Sequence, residues 1–244
     1  AYMNENGTII LNGDDDKLRG YSPENGITPV YFGLDESCGF HAENISGKGL
    51  NGTDAQFFTP NSSFTAHINI PGAHMVYNAL AATAVGYALG MTDREICAGI
   101  EANVPIAGRN NLIRAPHFTI IDDCYNANPV SMKASIDVLS NAPGRKIAVL
   151  GDMGELGAEE KQLHYMVGEH FAEKGIDALY CVGTLSQEIA KAVRTCSSKT
   201  EVHHYEDKAD LIKDLVKEVQ SGDTVLVKAS HFMGFSEIVK ELIQ

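Results

Sequence analysis

Three short stretches hold most of the side chains that could do chemistry. Ile121–Pro129 reads IDDCYNANP, which places two carboxylates, a thiol, a phenol and two carboxamides at the end of the apolar run FTII. Gly151–Gly157 reads GDMGELG and Lys228–His231 reads KASH, each directly after another apolar run. A carboxylate accepts from hydroxyl donors, and a carboxamide both donates and accepts, so these residues suit a polar ligand held at strand ends. Cys124 is a poor nucleophile here, because the flanking Asp122 and Asp123 raise its pKa. Asn78 interrupts a segment of otherwise small and apolar residues and shares a helical face with His74 at i, i+4 spacing. Its amide suits either a base edge or a neighbouring loop. Gly108-Arg109 falls where the sequence pattern changes, and the arginine fits either an interdomain ion pair or a phosphate clamp.

Other chemistries find no support. GKGLNG (Gly47–Gly52) has the GxGxxG spacing, but a polar stretch precedes it, TDAQFFTPN follows it and no acidic residue falls near position 70, so it reads as a glycine-rich hairpin loop. No GxxxxGK[ST] phosphate loop occurs. The nine histidines form neither HExxH nor HxxxH, and no nucleophile–base spacing stands out. Five cysteines, scattered and without a CxxC, point to free thiols in a reducing compartment. The formal charge of −13 argues against sequence-independent nucleic-acid binding. The opening AYMNENG lacks a signal-peptide pattern, and the most apolar stretch, Tyr77–Met91, is too short to span a bilayer. A cytoplasmic protein is expected.

Two halves must position these residues. In residues 1–70, TIIL (Thr8–Leu11), TPVYFGL (Thr28–Leu34), AQFF (Ala55–Phe58) and SFTAHINI (Ser63–Ile70) read as strands, the last two joined as a hairpin by TPNSS. Residues 71–102 read as two helices, with Gly90 closing the first and a Thr92/Glu95 capping box opening the second. After Arg109, strands are expected at Phe118–Asp122, Lys146–Leu150, Ala178–Val182, Glu201–Tyr205 and Thr224–Val227. Helices are expected at roughly 129–140, 158–174, 184–194, 207–219 and 234–243. That alternation implies βαβ units and a parallel sheet, whose ligands bind off the carboxyl ends of the strands, where all three polar stretches lie.

HMVYNALAATAVGYALG, GRNN, IIDDCYNANPVSMKASIDVL and AVLGDMGELG, in that order, resemble the Mur ligases of bacterial cell-wall synthesis. The resemblance covers nearly the whole chain. It is strongest to the branch that adds D-alanyl-D-alanine to UDP-N-acetylmuramoyl-tripeptide. It implies an α/β fold in two parts. Residues 1–107 would be the later part of the central ATP-binding domain, a remnant of strands plus two helices, and residues 108–244 a Rossmann-like parallel α/β C-terminal domain. The phosphate loop and the Mg2+ ligands of the family would lie in a missing N-terminal part, so the chain alone is expected to be inactive. The implied chemistry is ATP-dependent: the substrate carboxylate becomes an acyl phosphate, the dipeptide amine attacks, and phosphate leaves.

By position, Asn78, with His74 beside it, matches the adenine-contacting residue, and Arg109 matches the arginine that reaches the ATP phosphates. Asp122 or Asp123 matches the ribose-binding aspartate, with Tyr125 and Asn126 on the same strand end. Arg109 and Asp123 are the expected catalytic pair. Asn128, Asp152, Glu155, Lys228 and Ser230 are expected on the substrate side. The family more often has Lys-Gly-Ser-Arg where this chain has Lys228-Ala229-Ser230-His231, which leaves His231 without a matching role. A monomer without nucleic-acid or membrane partners is implied. A second reading is a stand-alone, non-catalytic module that binds nucleotide or dipeptide.

Overall fold

The computed structural model describes residues 7–22 and 26–244; the opening AYMNEN lies outside the described residues. The chain forms two compact units, divided between Val104 and Pro105.

The first unit holds strands β1 (Ile10–Asn12), β2 (Val30–Gly33), β3 (Phe40–Gly47), β4 (Thr53–Phe58) and β5 (Ser63–Ile68) in one sheet of that order. The β1–β2 and β2–β3 pairs are parallel, and β3–β4 and β4–β5 antiparallel. A short helix α1 (Asp16–Arg19) follows β1, and α2 (Met75–Ala88) and α3 (Asp93–Glu101) follow β5. Alternate strand residues Ala55, Phe57, Ala66 and Ile68 face inward and pack with Val76, Ala79, Leu80, Ile96 and Ile100 of the two longer helices. The TPNSS turn closes β4–β5 through Thr59 N–H to Ser62 O at 2.9 Å. GKGLNG joins β3 to β4 through Lys48 N–H to Gly52 O at 2.8 Å, so it is a hairpin loop with one 3-10 turn at Gly49–Asn51, and the polar stretch before it is strand β3 itself. The Thr92/Glu95 capping box opens α3, a device worth about 1 kcal/mol. No helix among the described residues is long and apolar enough to cross a membrane.

The second unit is a sheet of β6 (Asn111–Arg114), β7 (Thr119–Asp122), β8 (Lys146–Gly151), β9 (Ala178–Val182), β10 (Glu201–Tyr205) and β11 (Thr224–Lys228). Helices α4 (Pro129–Ser140), α5 (Glu160–Ala172), α6 (Ser186–Cys196), α7 (Lys208–Glu218) and α8 (Ser236–Leu242) connect or follow the strands. The strand order is β10-β9-β8-β11-β7-β6, and every pair is parallel except β6–β7. The last strand therefore inserts between β7 and β8, so its carboxyl-end loop lies between theirs. Strands β9 and β11 are buried throughout, as in a parallel sheet covered on both faces. Ile147, Val149, Tyr180, Val225 and Val227 pack with Leu211 and Leu215 of α7, with Ile238 and Val239 of α8 and with Phe235 just ahead of it. Alternation then sends Leu226 and Lys228 to the opposite face.

Candidate functional site

The site is built from four backbone segments at the carboxyl ends of β7, β8 and β11 and just ahead of β6. Asp122, nearly buried at the end of β7, accepts from the Gly108 N–H at 2.8 Å and from the Cys124 thiol at 3.0 Å. Gly108 adopts φ +77°, and its carbonyl accepts from Tyr125 N–H at 2.9 Å. A side chain there would be strained and would press on Tyr125, its Cβ standing 3.3 Å away. The glycine thus ties the segment carrying Arg109 to the end of β7. Burial, then the bond to Asp122, push the Cys124 thiol up to about 12, so it stays protonated and inert near neutrality.

Asp123 is the hub. Its Oδ1 accepts from Asn110 N–H at 2.9 Å; its Oδ2 accepts from Ser135 Oγ at 2.6 Å and from Lys228 Nζ at 2.6 Å. Lys228, 2% exposed, also donates to Asn126 O at 3.0 Å and Asp123 O at 3.4 Å. An ammonium in this setting is tolerable only because its donors meet a carboxylate and two carbonyls. The consequence is geometric, since the 123–126 backbone is clamped to the end of β11.

Ser230 ties the neighbouring loops together. Its N–H donates to Asp152 O at 3.0 Å, its Oγ donates to Ala127 O at 3.3 Å, and its Oγ accepts from Gly154 N–H at 2.8 Å. Asp152 turns its carboxylate to the start of α6, accepting from Leu185 and Ser186 N–H at 3.0 and 2.7 Å. Gly183, at φ +123°, leaves room for that carboxylate; a Cβ there would meet it within 3 Å. His164 of α5, fully buried, accepts from Met153 N–H at Nε2 (2.9 Å) and faces Glu160 O with Nδ1 (2.6 Å). These two partners fix the neutral tautomer with the proton on Nδ1. Asn128 is the N-cap of α4 in a capping box with Ser131.

The sequence reading placed Asn128, Asp152, Lys228 and Ser230 against the substrate. The structure engages all four side chains with the protein itself, because each sits where a strand end or helix start leaves backbone groups to satisfy. Asp122 and Asn126 are similarly occupied, Asn126 accepting from Ala127 N–H at 2.8 Å. Asp123 remains the more accessible carboxylate of the pair. Ser135, His164 and Asn110 were not singled out in the sequence. For the first two the signal was a polar residue among the buried positions of an amphipathic helix.

The exposed side chains form a different set. The Arg109 guanidinium lies 3.9 Å above the Tyr125 ring centroid, and among the described residues it has no carboxylate partner. Tyr125, 48% exposed, also meets the His231 ring at 5.5 Å between centroids. Glu155 is exposed and holds φ +62°, a left-handed backbone that costs a non-glycine residue about 1 kcal/mol. In the first unit, Asn78 is exposed on the wall of a groove of about 590 Å³ that runs between α2 and α3. Its carboxamide donates a weak bond to Met75 Sδ at 3.4 Å. His74 stands exposed at the start of α2.

Two family models match the chain: the Mur ligase middle domain over residues 1–86 and the Mur ligase glutamate ligase domain over residues 108–231. The UDP-N-acetylmuramoyl-tripeptide--D-alanyl-D-alanine ligase of Escherichia coli (strain K12) is 36% identical over 244 residues, covering 98% of this chain and 52% of that protein. Its namesake from Bacillus subtilis (strain 168) is 34% identical, covering 99% and 52%. A crystal structure of MurF from Acinetobacter baumannii superposes with a TM-score of 0.83 at 30% identity, over 97% of this chain and 51% of that one. MurF ligase from Thermotoga maritima in complex with ADP gives 0.80 at 28%, over 98% and 53%. The chain spans about half the length of the curated relatives it matches.

Proposed function

The chain belongs to the Mur ligase family, and from that premise we propose that it supplies the C-terminal half of an ATP-dependent ligase that joins D-alanyl-D-alanine to UDP-N-acetylmuramoyl-tripeptide. The observation that carries this reading is the combination at the strand ends of the second unit. Buried polar side chains hold three loops in place, while an exposed guanidinium, without a carboxylate partner among the described residues, stacks on an exposed aromatic ring. A free arginine fork in a rigid frame suits phosphate.

On the first unit, Asn78 reads an adenine edge from the wall of its groove, with His74 beside it. On the second, Arg109 meets phosphate, and Asp123 accepts a ribose hydroxyl with its remaining lone pairs; Asp122, more deeply engaged, is the lesser choice. Tyr125 and Asn126 border the same ligand. Glu155 faces the acceptor dipeptide. Asn128, Asp152, Lys228 and Ser230 serve it by holding the loops in register. ATP supplies the activation that turns the tripeptide carboxylate into an acyl phosphate. The dipeptide amine displaces phosphate from it, and the chain's own part is to orient the reactants and gather charge.

Magnesium finds no matching donor set, for among the described residues no three His, Cys, Asp or Glu side chains are placed to hold a metal ion. Its ligands, like the phosphate loop that the 244 residues lack, are assigned to chain beyond this one. The 244-residue chain by itself is therefore expected to release no phosphate. The working protein is read as a cytoplasmic monomer.

Arg109→Ala in the native-length protein tests the reading. Turnover at saturating ATP should fall about 10²-fold, and Asp123→Ala should raise the ATP concentration required. Wild-type kinetics in both variants would refute the site.

A further inference from the structure

The side chains at the end of β11 divide sharply. Lys228 and Ser230 are buried and their polar atoms are occupied, whereas the next two residues, His231 and Phe232, are exposed. Phe232 is 70% exposed and, among the described residues, is the one phenylalanine that stands so open to solvent. It is not a loose ring on a loose loop. The turn carrying it is closed by Met233 N–H to Ser230 O at 3.0 Å and Gly234 N–H to His231 O at 3.1 Å. The ring itself rests on Gly154, where an added Cβ would stand 3.0 Å from Phe232 Cε1. Gly154 in turn is fixed by its N–H to Ser230 Oγ. On the other side, the His231 imidazole leans on Tyr125. One short turn thus presents an apolar wall and a ring N–H donor, each backed by a neighbouring loop.

Resting on the ligase reading, we propose that Phe232 and His231 are specificity-determining residues for the incoming dipeptide. Phe232 forms the apolar wall against an alanine methyl, and a ring N–H of His231 donates to the dipeptide carboxylate. D-alanyl-D-alanine offers those two features at its free end: a small apolar side chain beside a carboxylate. The wall rewards a methyl laid against the ring where it stands over Gly154. A glycine at 154 is what lets ring and backbone approach.

The test is an NMR titration of D-alanyl-D-alanine into the 15N-labelled 244-residue chain, with L-alanyl-L-alanine as control. The expected result is shifts centred on Gly154, His231 and Phe232. Phe232→Ala should weaken binding about tenfold, the scale of one well-packed methyl contact, and should narrow the preference over D-alanyl-D-valine. His231→Gln, which keeps an N–H donor, should retain most of the affinity that His231→Ala loses. Amide spectra of the variants show whether the fold is kept. Shifts confined to other loops, or an unchanged affinity in folded Phe232→Ala, would overturn the assignment while leaving the ligase reading intact. Absence of any dipeptide binding would overturn it as well, and the ligase reading then stands or falls on the Arg109→Ala kinetics alone.

Discussion

Lys228 is read as a clamp, and Lys228→Met puts that to a quantitative test. Methionine keeps the length and apolar stem of the side chain but removes all three donors. In the wild type the ammonium meets Asp123 Oδ2 at 2.6 Å, Asn126 O at 3.0 Å and Asp123 O at 3.4 Å in a site only 2% exposed. Breaking a buried ion pair from one side costs about 3–5 kcal/mol, because the other charge stays behind unpaired. Here Asp123 keeps Asn110 N–H and Ser135 Oγ as donors, so the lower end, about 3 kcal/mol, is expected. Native-state hydrogen exchange on peptides of β8 and β11 reads this directly for the second unit. Global protection there should fall by that amount, with the first unit unchanged. Adding Asp123→Asn removes the orphaned charge, so the double variant should lose less than the sum of the single losses. A single-variant loss below about 1 kcal/mol, or strict additivity, would show that the pair is not a clamp.

Other expectations follow from the same geometry. His164→Leu removes the acceptor for Met153 N–H, a buried donor, and should cost about 1–3 kcal/mol, with exchange quickening first at residues 151–157. Asn128→Ala removes the α4 cap and should lower stability by about 1 kcal/mol in urea melts. Gly183→Ala forces a Cβ into the Asp152 carboxylate at φ +123° and should cost more than about 1 kcal/mol, visible as a lowered melting temperature. Cys124, held neutral with a pKa near 12, should react with iodoacetamide far more slowly than exposed Cys196 at pH 8. Because its pKa is raised, its thiolate fraction should grow only as pH climbs toward that value, and fast labelling of Cys124 at pH 8 by mass spectrometry would contradict the assignment.

The sheet of the second unit was legible in the sequence because its strands are short apolar runs separated by helices with clear faces. Ala178–Val182, Glu201–Tyr205 and the helix 129–140 match to the residue. Two strands were not legible, for local reasons. β3 reads FHAENISG, with only two buried positions, a left-handed Asn44 and a register shift between Glu43 and Ser46, so its alternation is broken. β6 is four residues long and runs antiparallel against β7, outside the βαβ rhythm. The place of the site was legible too, since polar residues after buried runs mark strand ends. The direction of each side chain was not. Whether Lys228 faces ligand or protein depends on β11 inserting beside β7, a long-range pairing that no local pattern encodes. The open residues His231 and Phe232 follow from that same pairing.

The central claim is that this chain works as part of a D-alanyl-D-alanine-adding ligase. Antibodies against the chain should remove the native protein from an extract of its own cells, and the captured protein should then be assayed by mass spectrometry with ATP, UDP-N-acetylmuramoyl-tripeptide and D-alanyl-D-alanine. The account predicts ATP-dependent formation of the pentapeptide product by the captured protein and its loss from the depleted extract. A captured species of 26.3 kDa that forms no product, with the activity left behind in the extract, would contradict it.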